Sequence, residues 1–347
     1  MLCWRLLLGT LLIAAVAGLC WLDARSAIPG LWLMPLLVAV TLLATQEVLW
    51  LLRARGSRPL AWTVYAGNLL IVLGSWTPLL PTAVGLRYTP LRFFLPPAGP
   101  PIAILVIAIL MVLWGEMARG RRPNGNSPLP LGGERQGTAA APHSEGNHLP
   151  ATSHQPPATL ATPATPQAAG NNGALANCAG GVFALVYVGL MLAIAVQIRL
   201  GIGLFALAAW IITVKMGDIG AYTVGRLIGR HKLAPTISPG KTVEGAFGAV
   251  LFACLGSWSA AVFLPLWLPG RCDILLVLSL LFYFGPLMAL AGMAGDLFES
   301  LLKRDAGCKD SSPWLPGFGG VLDIIDSLLL SAPVAWLLWG TLAPLSW

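Results

Sequence analysis

The 347-residue sequence predicts an all-α, polytopic integral membrane protein with about nine transmembrane helices. Three observations carry that prediction. Hydrophobic residues make up 56% of the chain and charged residues only 10%, whereas soluble domains are about a quarter charged. Apolar runs of the length that crosses a bilayer as a helix recur near 6–22, 31–52, 60–80, 101–117, 179–198, 200–217, 243–264, 273–293 and 324–343. Finally, threading these runs from a cytoplasmic N-terminus puts 16 of the 21 Lys and Arg residues inside and only Arg25, Arg87, Arg92, Arg199 and Arg271 outside, as the positive-inside rule requires.

The first run follows Arg5 and has the outline of a signal peptide, but no small-residue cleavage site precedes Asp23 and further spans follow, so it is expected to be a transmembrane helix. Residues 1–119 then form an N-terminal set of helices, 120–178 a disordered cytoplasmic linker and 179–347 a C-terminal catalytic transmembrane domain. The linker is rich in Pro, Gly, Ala, Thr, Ser and Asn and cannot bury a core. Its histidines, His143, His148 and His154, are irregularly spaced with only Glu145 nearby, and read as polar filler. Cys3, Cys20, Cys178, Cys254, Cys272 and Cys308 are scattered, without metal-ligand spacing, and are expected to be free thiols. The formal net charge of +7 reflects basic cytoplasmic loops facing anionic lipid. No basic cluster interleaved with aromatics points to nucleic acid.

Charge concentrates in two segments, 215–244 and 295–326, which hold sixteen of the 35 charged residues. Positive-inside topology explains bases but not the acids among them. In the first segment, Gly217, Gly220, Gly225 and Gly229 are expected to let helices and backbone approach a ligand closely, and Ser238-Pro239-Gly240-Lys241-Thr242 places a turn and a lysine just before a helix. That arrangement suits phosphate, although the glycine spacing is not that of a Walker loop. Arg226, Arg230 and Lys232 are equally well explained as juxtamembrane bases, and His231 as loop filler. In the second segment Asp296, Glu299, Ser300, Lys303 and Arg304 share one helical face, and a glycine-rich turn leads to Asp323 and Asp326, one helical turn apart. Carboxylates at membrane depth are costly unless paired or bound to a cation. Oxygen-ligated divalent metal is therefore expected, with an anionic substrate among the nearby bases. Glu47, beside Gln46 near the cytoplasmic end of the second span, could face the same cavity, but snorkelling to the interface is the favoured expectation.

Over about the last 170 residues the sequence resembles the phosphatidate cytidylyltransferase family. The first segment is similar to that family's Asp-x-x-Ala-Tyr, Gly-Arg and Ser-Pro-x-Lys-Thr-x-Glu-Gly pattern through Asp218, Ala221, Tyr222, Gly225, Arg226, Ser238, Pro239, Lys241, Thr242, Glu244 and Gly245. The second is similar to its signature through Ser300, Lys303, Arg304, Lys309, Asp310, Pro316, Gly317, Gly319, Gly320, Asp323 and Asp326. Phe318 and Ile324 depart from it, standing where the family usually has His and Arg.

The resemblance implies that CTP and phosphatidate are converted to CDP-diacylglycerol and pyrophosphate at the cytoplasmic face of a bacterial-type inner or plasma membrane. It implies Mg²⁺ held by Asp296 and Asp323 with Asp218 or Asp326 in support, leaving room for a second, monovalent or divalent cation. Lys241, Ser300, Lys303, Arg304, Lys309 and Asp310 are the catalytic candidates, and Ser238, Thr242, Glu244, Gly317, Gly319 and Gly320 the nucleotide-binding ones. A homodimer is compatible with this reading. CTP-dependent transfer to another lipid phosphate or a polyprenol is an alternative, as is a degenerate, non-catalytic homologue, motivated by Phe318 and Ile324. A transporter ranks below these, because the charge-rich segments are confined to the C-terminal half.

Overall fold

The computed structural model describes residues 2–76, 99–120, 172–267, 274–309, 311–312 and 319–342. Almost all of the expected linker lies outside the described residues, with its three histidines. So do Arg87, Arg92, Arg271, Cys272, Asp310, Gly317 and Phe318. Helix α1 spans Leu2–Ala24, α2 Met34–Ala54, α3 Ala61–Gly74 and α4 Gly99–Gly120. In the C-terminal half, α5 spans Gly173–Ile202, α6 Leu204–Ile228, α7 Val243–Leu266, α8 Ile274–Asp305 and α9 Leu322–Leu342. Among the described residues six helices, α2 and α5 to α9, are long and apolar enough to cross a membrane, against the nine or so expected. The stretches Ile13–Ala24 and Ala61–Gly74 are apolar but shorter. The chain is an integral membrane protein of all-α class, and Cys20, Cys178, Cys254 and Cys308 are free thiols.

Two features depart from the sequence reading. Lys215, Asp218 and Arg226 are not in a loop, because α6 runs on to Ile228. Beyond it, Lys232–Ala234 (β1) pairs antiparallel with Ser238–Thr242 (β2), with Lys232 opposite Thr242 and Ala234 opposite Ser238. The expected turn is thus a short hairpin. Thr242 ends it and caps α7, its hydroxyl accepting from the Gly245 N–H at 3.1 Å.

Helix α9 lies at the centre of the packing. Leu322, Ile325 and Leu329 on its first half join side chains of α2 to α5, among them Leu49, Val64, Ile71, Val112 and Leu185. Ala332, Ala335 and Trp339 on its second half join a cluster of α5, α6 and α8 that includes Ile198, Trp210, Leu280, Phe284 and Met288. The N-terminal helices therefore pack into one body with the C-terminal ones, through the helix that carries Asp323 and Asp326.

Between membrane helices close packing of small residues replaces the hydrophobic drive available in water. At the α6–α7 contact, a Cβ on Gly220 would strike the Gly248 carbonyl oxygen and Phe252, and one on Gly248 would strike Val224. Gly220 and Gly248 thus bring helix to helix rather than backbone to ligand, and they set the spacing between Asp218 and the hairpin. Gly220→Leu is expected to lower stability by about 1–3 kcal/mol through overpacking, read as a reduced unfolding midpoint of the detergent-solubilised protein.

Candidate active site

The C-terminal end of α8 and the first turns of α9 present two adjoining groups of acids, each neutralised by lysine. The first contains Asp218, Asp296 and Asp326. Lys241, on β2, reaches across to α8 and places its Nζ 2.8 Å from Asp296 Oδ2. That contact is an ion pair without hydrogen-bond alignment, and the ammonium nitrogen is otherwise buried and unpartnered among the described residues. Ser300, one turn further along α8, donates to Asp296 Oδ1 at 3.5 Å, the limit of a hydrogen bond. Asp218, on α6, accepts from Lys215 Nζ at 2.8 Å and from the Ser327 hydroxyl at 2.9 Å. Asp326 is buried and accepts from the Ser327 N–H at 2.6 Å. It lies within Coulomb range of Asp218, Asp296 and Lys215.

In the second group Lys303 sits between two carboxylates, its Nζ 2.5 Å from Glu299 Oε2 and 2.5 Å from Asp323 Oδ1. Glu299 is fully buried, so removing Lys303 would strand a charge, a loss of about 3–5 kcal/mol for buried pairs. The other oxygen of Asp323 accepts from the Ser311 N–H at 3.1 Å, the Ser311 hydroxyl at 2.8 Å and the Gly320 N–H at 2.7 Å. Gly319 has φ +83°, and a Cβ there would run into Asp323, as one on Gly320 would run into Ser311 and Glu47. Only glycines allow this turn to close on the carboxylates.

Glu47 overturns the snorkelling expectation. It is 4% exposed and reaches from α2 into the second group, accepting from Val321 N–H at 2.9 Å and Leu322 N–H at 2.8 Å, while its Oε2 lies 2.8 Å from the Ser311 hydroxyl, whose single proton it shares with Asp323. The first amides of a helix have no partner within it, and Glu47 supplies one from a chain segment far away in sequence, with negative charge at the positive end of α9.

The candidates are therefore distributed as follows. Asp218, Asp296, Asp326, Lys241 and Ser300 converge in one group, and Lys303, Asp323, Gly319 and Gly320 in the other, joined through α8 and α9. Arg304 turns aside to donate to the Ile237 carbonyl at 3.3 Å. Ser238 pairs with Ala234 in the hairpin, and Thr242 caps α7. Glu244 accepts from the Arg230 and His231 N–H groups at 3.0 and 3.2 Å, and contacts His231 Nδ1 at 2.6 Å. That contact gives His231, read as filler, a role in closing the hairpin. Lys309 is exposed. Sequence reasoning did not place Lys215, Ser311 or Ser327 in the site, put Glu299 on its helical face without assigning it a role, and held Glu47 there only as the less favoured reading. The available signal was a charged or polar residue inside an apolar run, visible for Glu47 and Lys215.

Among the described residues no three His, Cys, Asp or Glu side chains form a ready-made metal cluster. The donor set nevertheless fits Mg²⁺, which takes one or two carboxylates and completes its shell with water and phosphate. Asp218 and Asp296 supply hard oxygens on side chains 37% and 41% exposed.

These features define a class: an integral membrane protein in which acids and lysines from α6, the hairpin, α8 and α9 gather into two adjoining groups. The model of the Cytidylyltransferase family matches residues 4–342, and the chain belongs to that family. Its relatives include a phosphatidate cytidylyltransferase of Staphylococcus epidermidis, 41% identical over 121 residues, covering 35% of this chain and 44% of the relative. A Haemophilus influenzae protein of the same name is 41% identical over 133 residues, covering 38% of this chain and 44% of the relative. One from Helicobacter pylori is 41% identical over 145 residues, covering 38% and 50%. The chain thus matches half or less of the length of these relatives.

Glu47→Ala removes the acceptors of two amides at the start of α9, and with them the contact to Ser311. It is expected to cost about 2 kcal/mol, as for loss of a strong helix cap, and to raise hydrogen–deuterium exchange in peptides covering 319–327. Glu47→Gln, which keeps one acceptor oxygen, is expected to fall between it and the unaltered protein.

Proposed function

We propose that the protein is a CTP:phosphatidate cytidylyltransferase, making CDP-diacylglycerol and pyrophosphate for phospholipid biosynthesis, with its site at the cytoplasmic face of a bacterial-type inner or plasma membrane. The observation that carries this reading is Lys241. Among the described residues its buried ammonium is paired only to Asp296 and has donors left for a phosphate, in a chain that belongs to the cytidylyltransferase family. The names of its relatives support phosphatidate as the lipid substrate.

In the reaction a phosphate oxygen of phosphatidate attacks the α-phosphorus of CTP. The bond between that phosphorus and the oxygen bridging to the β-phosphate breaks, and pyrophosphate leaves with the electron pair. The nucleophile is already ionised near neutral pH, so no general base is needed. What the protein must do is bring two anions together and offset the charge that builds on the transferring group and on pyrophosphate. Lys241 is placed to donate to a phosphate without leaving Asp296. Lys303 holds Asp323, and through it the turn at Gly319 and Gly320, in position. Arg304 and Lys309 add positive charge at the mouth, where the nucleotide enters from water. Ser300 orients Asp296. Mg²⁺, when bound, would supply concentrated positive charge to the phosphate oxygens, and Asp296 and Asp218, with Asp326 in support, are the residues that would hold it, the oxygens of Asp323 being taken by Lys303, Ser311 and Gly320.

Membranes containing the protein are expected to convert CTP and phosphatidate to CDP-diacylglycerol in the presence of Mg²⁺ and to stop when it is chelated. Label from the α-phosphate of CTP should enter the lipid, and label from the γ-phosphate should not. Lys241→Ala and Asp323→Asn are each expected to lower kcat/KM about 100-fold or more, the scale of losing one charge-stabilising group, while the protein still accumulates in the membrane. Full activity in either variant would remove the assigned role of that residue. Transfer of the γ-phosphate would overturn the reaction itself.

A further inference from the structure

Lys215 lies in an apolar stretch of α6, between Val214 and Met216, inside the helix rather than in the segment beyond its end at Ile228. Its Nζ donates to three oxygens at 2.8 Å each: Asp218 Oδ2, the Ile324 carbonyl and the Ser327 hydroxyl. An ammonium group has three N–H donors, so all of them are used. The hydrogen-bond directions are fixed by chemistry. Lysine only donates and carboxylate only accepts, so the Ser327 proton must point to Asp218 Oδ2, 2.9 Å away, and its lone pair receives Lys215. The result is a cation in an oxygen cage built from two helices, one acceptor from α6 and two from α9.

Structural crossbridging alone does not account for it. Apolar side chains hold helices together at less cost than a desolvated ion pair, and this pair is not sealed in the core, since the Lys215 and Asp218 side chains are 34% and 37% exposed. The cage also lies where charge matters. Asp326, next to Ser327, is within Coulomb range of Lys215, Asp218 and Asp296, so among the described residues this group has three carboxylates and two ammonium groups, Lys215 and Lys241.

We propose that Lys215 is a built-in cation of the site, occupying an oxygen cage such as a bound ion would take. From there it positions Asp218 against the first turns of α9 and supplies fixed positive charge to the phosphate-binding group. Because its donors are all engaged it acts through Asp218 and through its field rather than by touching a substrate, and it is a positioning residue. The assignment of its effect to phosphate chemistry rests on the function proposed above; the cage itself does not.

The test is chemical rescue of Lys215→Ala in the full-length, detergent-purified protein. The truncation leaves Asp218 Oδ2, the Ile324 carbonyl and Ser327 Oγ around an unfilled space. CDP-lipid formation is expected to fall about tenfold, a partly exposed pair being screened by solvent. Methylammonium at tens of millimolar should restore most of that activity, whereas tetramethylammonium, which has no N–H donor, should restore nothing. The same methylammonium additions should raise the unfolding midpoint of Lys215→Ala and leave that of the unaltered protein unchanged. Lys215→Ala activity within twofold of the unaltered protein, or a loss that methylammonium repairs in neither activity nor unfolding midpoint, overturns the proposal. If Lys215→Ala does not fold, Lys215→Met, which is close in length but has neither charge nor donors, decides: unaltered activity overturns the proposal, and a large loss supports it. If the unaltered protein makes no CDP-lipid, the proposed function fails, while the shift in unfolding midpoint still decides whether the cage takes a cation.

Discussion

The constraint on which the rest depends is that a carboxylate at membrane depth must be neutralised, and in this protein each neutralising group ties together elements that the chain keeps apart. Lys241 joins the hairpin to Asp296 on α8. Lys303 joins Glu299 on the same helix to Asp323 on α9. Lys215 joins α6 to α9. At the other end of α5, Arg199 meets Asp23 of α1 at 2.6 Å in a pair that is almost wholly buried. An unpaired charge in these places would cost several kcal/mol, so the pairs select the arrangement of helices as much as the helices position the pairs.

The acids nevertheless differ in how fully they are satisfied. Asp323 has donors on both oxygens and organises the turn at Gly319 and Gly320. Glu47 is satisfied in the same way and fixes the entry to α9 from the N-terminal helices. Asp296 has a lysine whose own hydrogen bonds are incomplete. Under the proposed function the site has to keep some capacity open for phosphate and a cation, and the incompletely satisfied groups lie around Lys241 and Asp296 while the fully satisfied ones lie around Glu47, Ser311 and Asp323. Since Glu47 belongs to α2, the N-terminal helices are part of what shapes the site and not only a membrane anchor.

Much of this was legible in the sequence. Apolar runs located the helices because a span needs only length and hydropathy, both local properties. The clustering of Asp296, Glu299, Ser300 and Lys303 was legible from helical spacing, and that of Asp323 and Asp326 from their separation by one turn. What was not legible depends on partners far away in the chain. Glu47 finds its donors in Ser311, Val321 and Leu322, and no periodicity announces a contact of that kind, so an interfacial role was the natural expectation. Lys215 was visible only as a charge in an apolar run until α9 brought Ile324 and Ser327 to it. The glycines of α6 were visible too, but whether a small residue admits a ligand or a neighbouring helix depends on what lies opposite, and at Gly220 that is Gly248 and Phe252.

The central claim is that lysine-neutralised acids on α6, α8 and α9 form one site for a cation and a nucleotide triphosphate. Equilibrium titration of the purified protein with CTP, with and without Mg²⁺ and in the absence of any lipid substrate, tests it most directly. The account predicts saturable binding to one site per chain that is strengthened by Mg²⁺, with the strengthening lost in Asp296→Asn. Absence of saturable CTP binding, or binding that is indifferent both to Mg²⁺ and to that substitution, would contradict it.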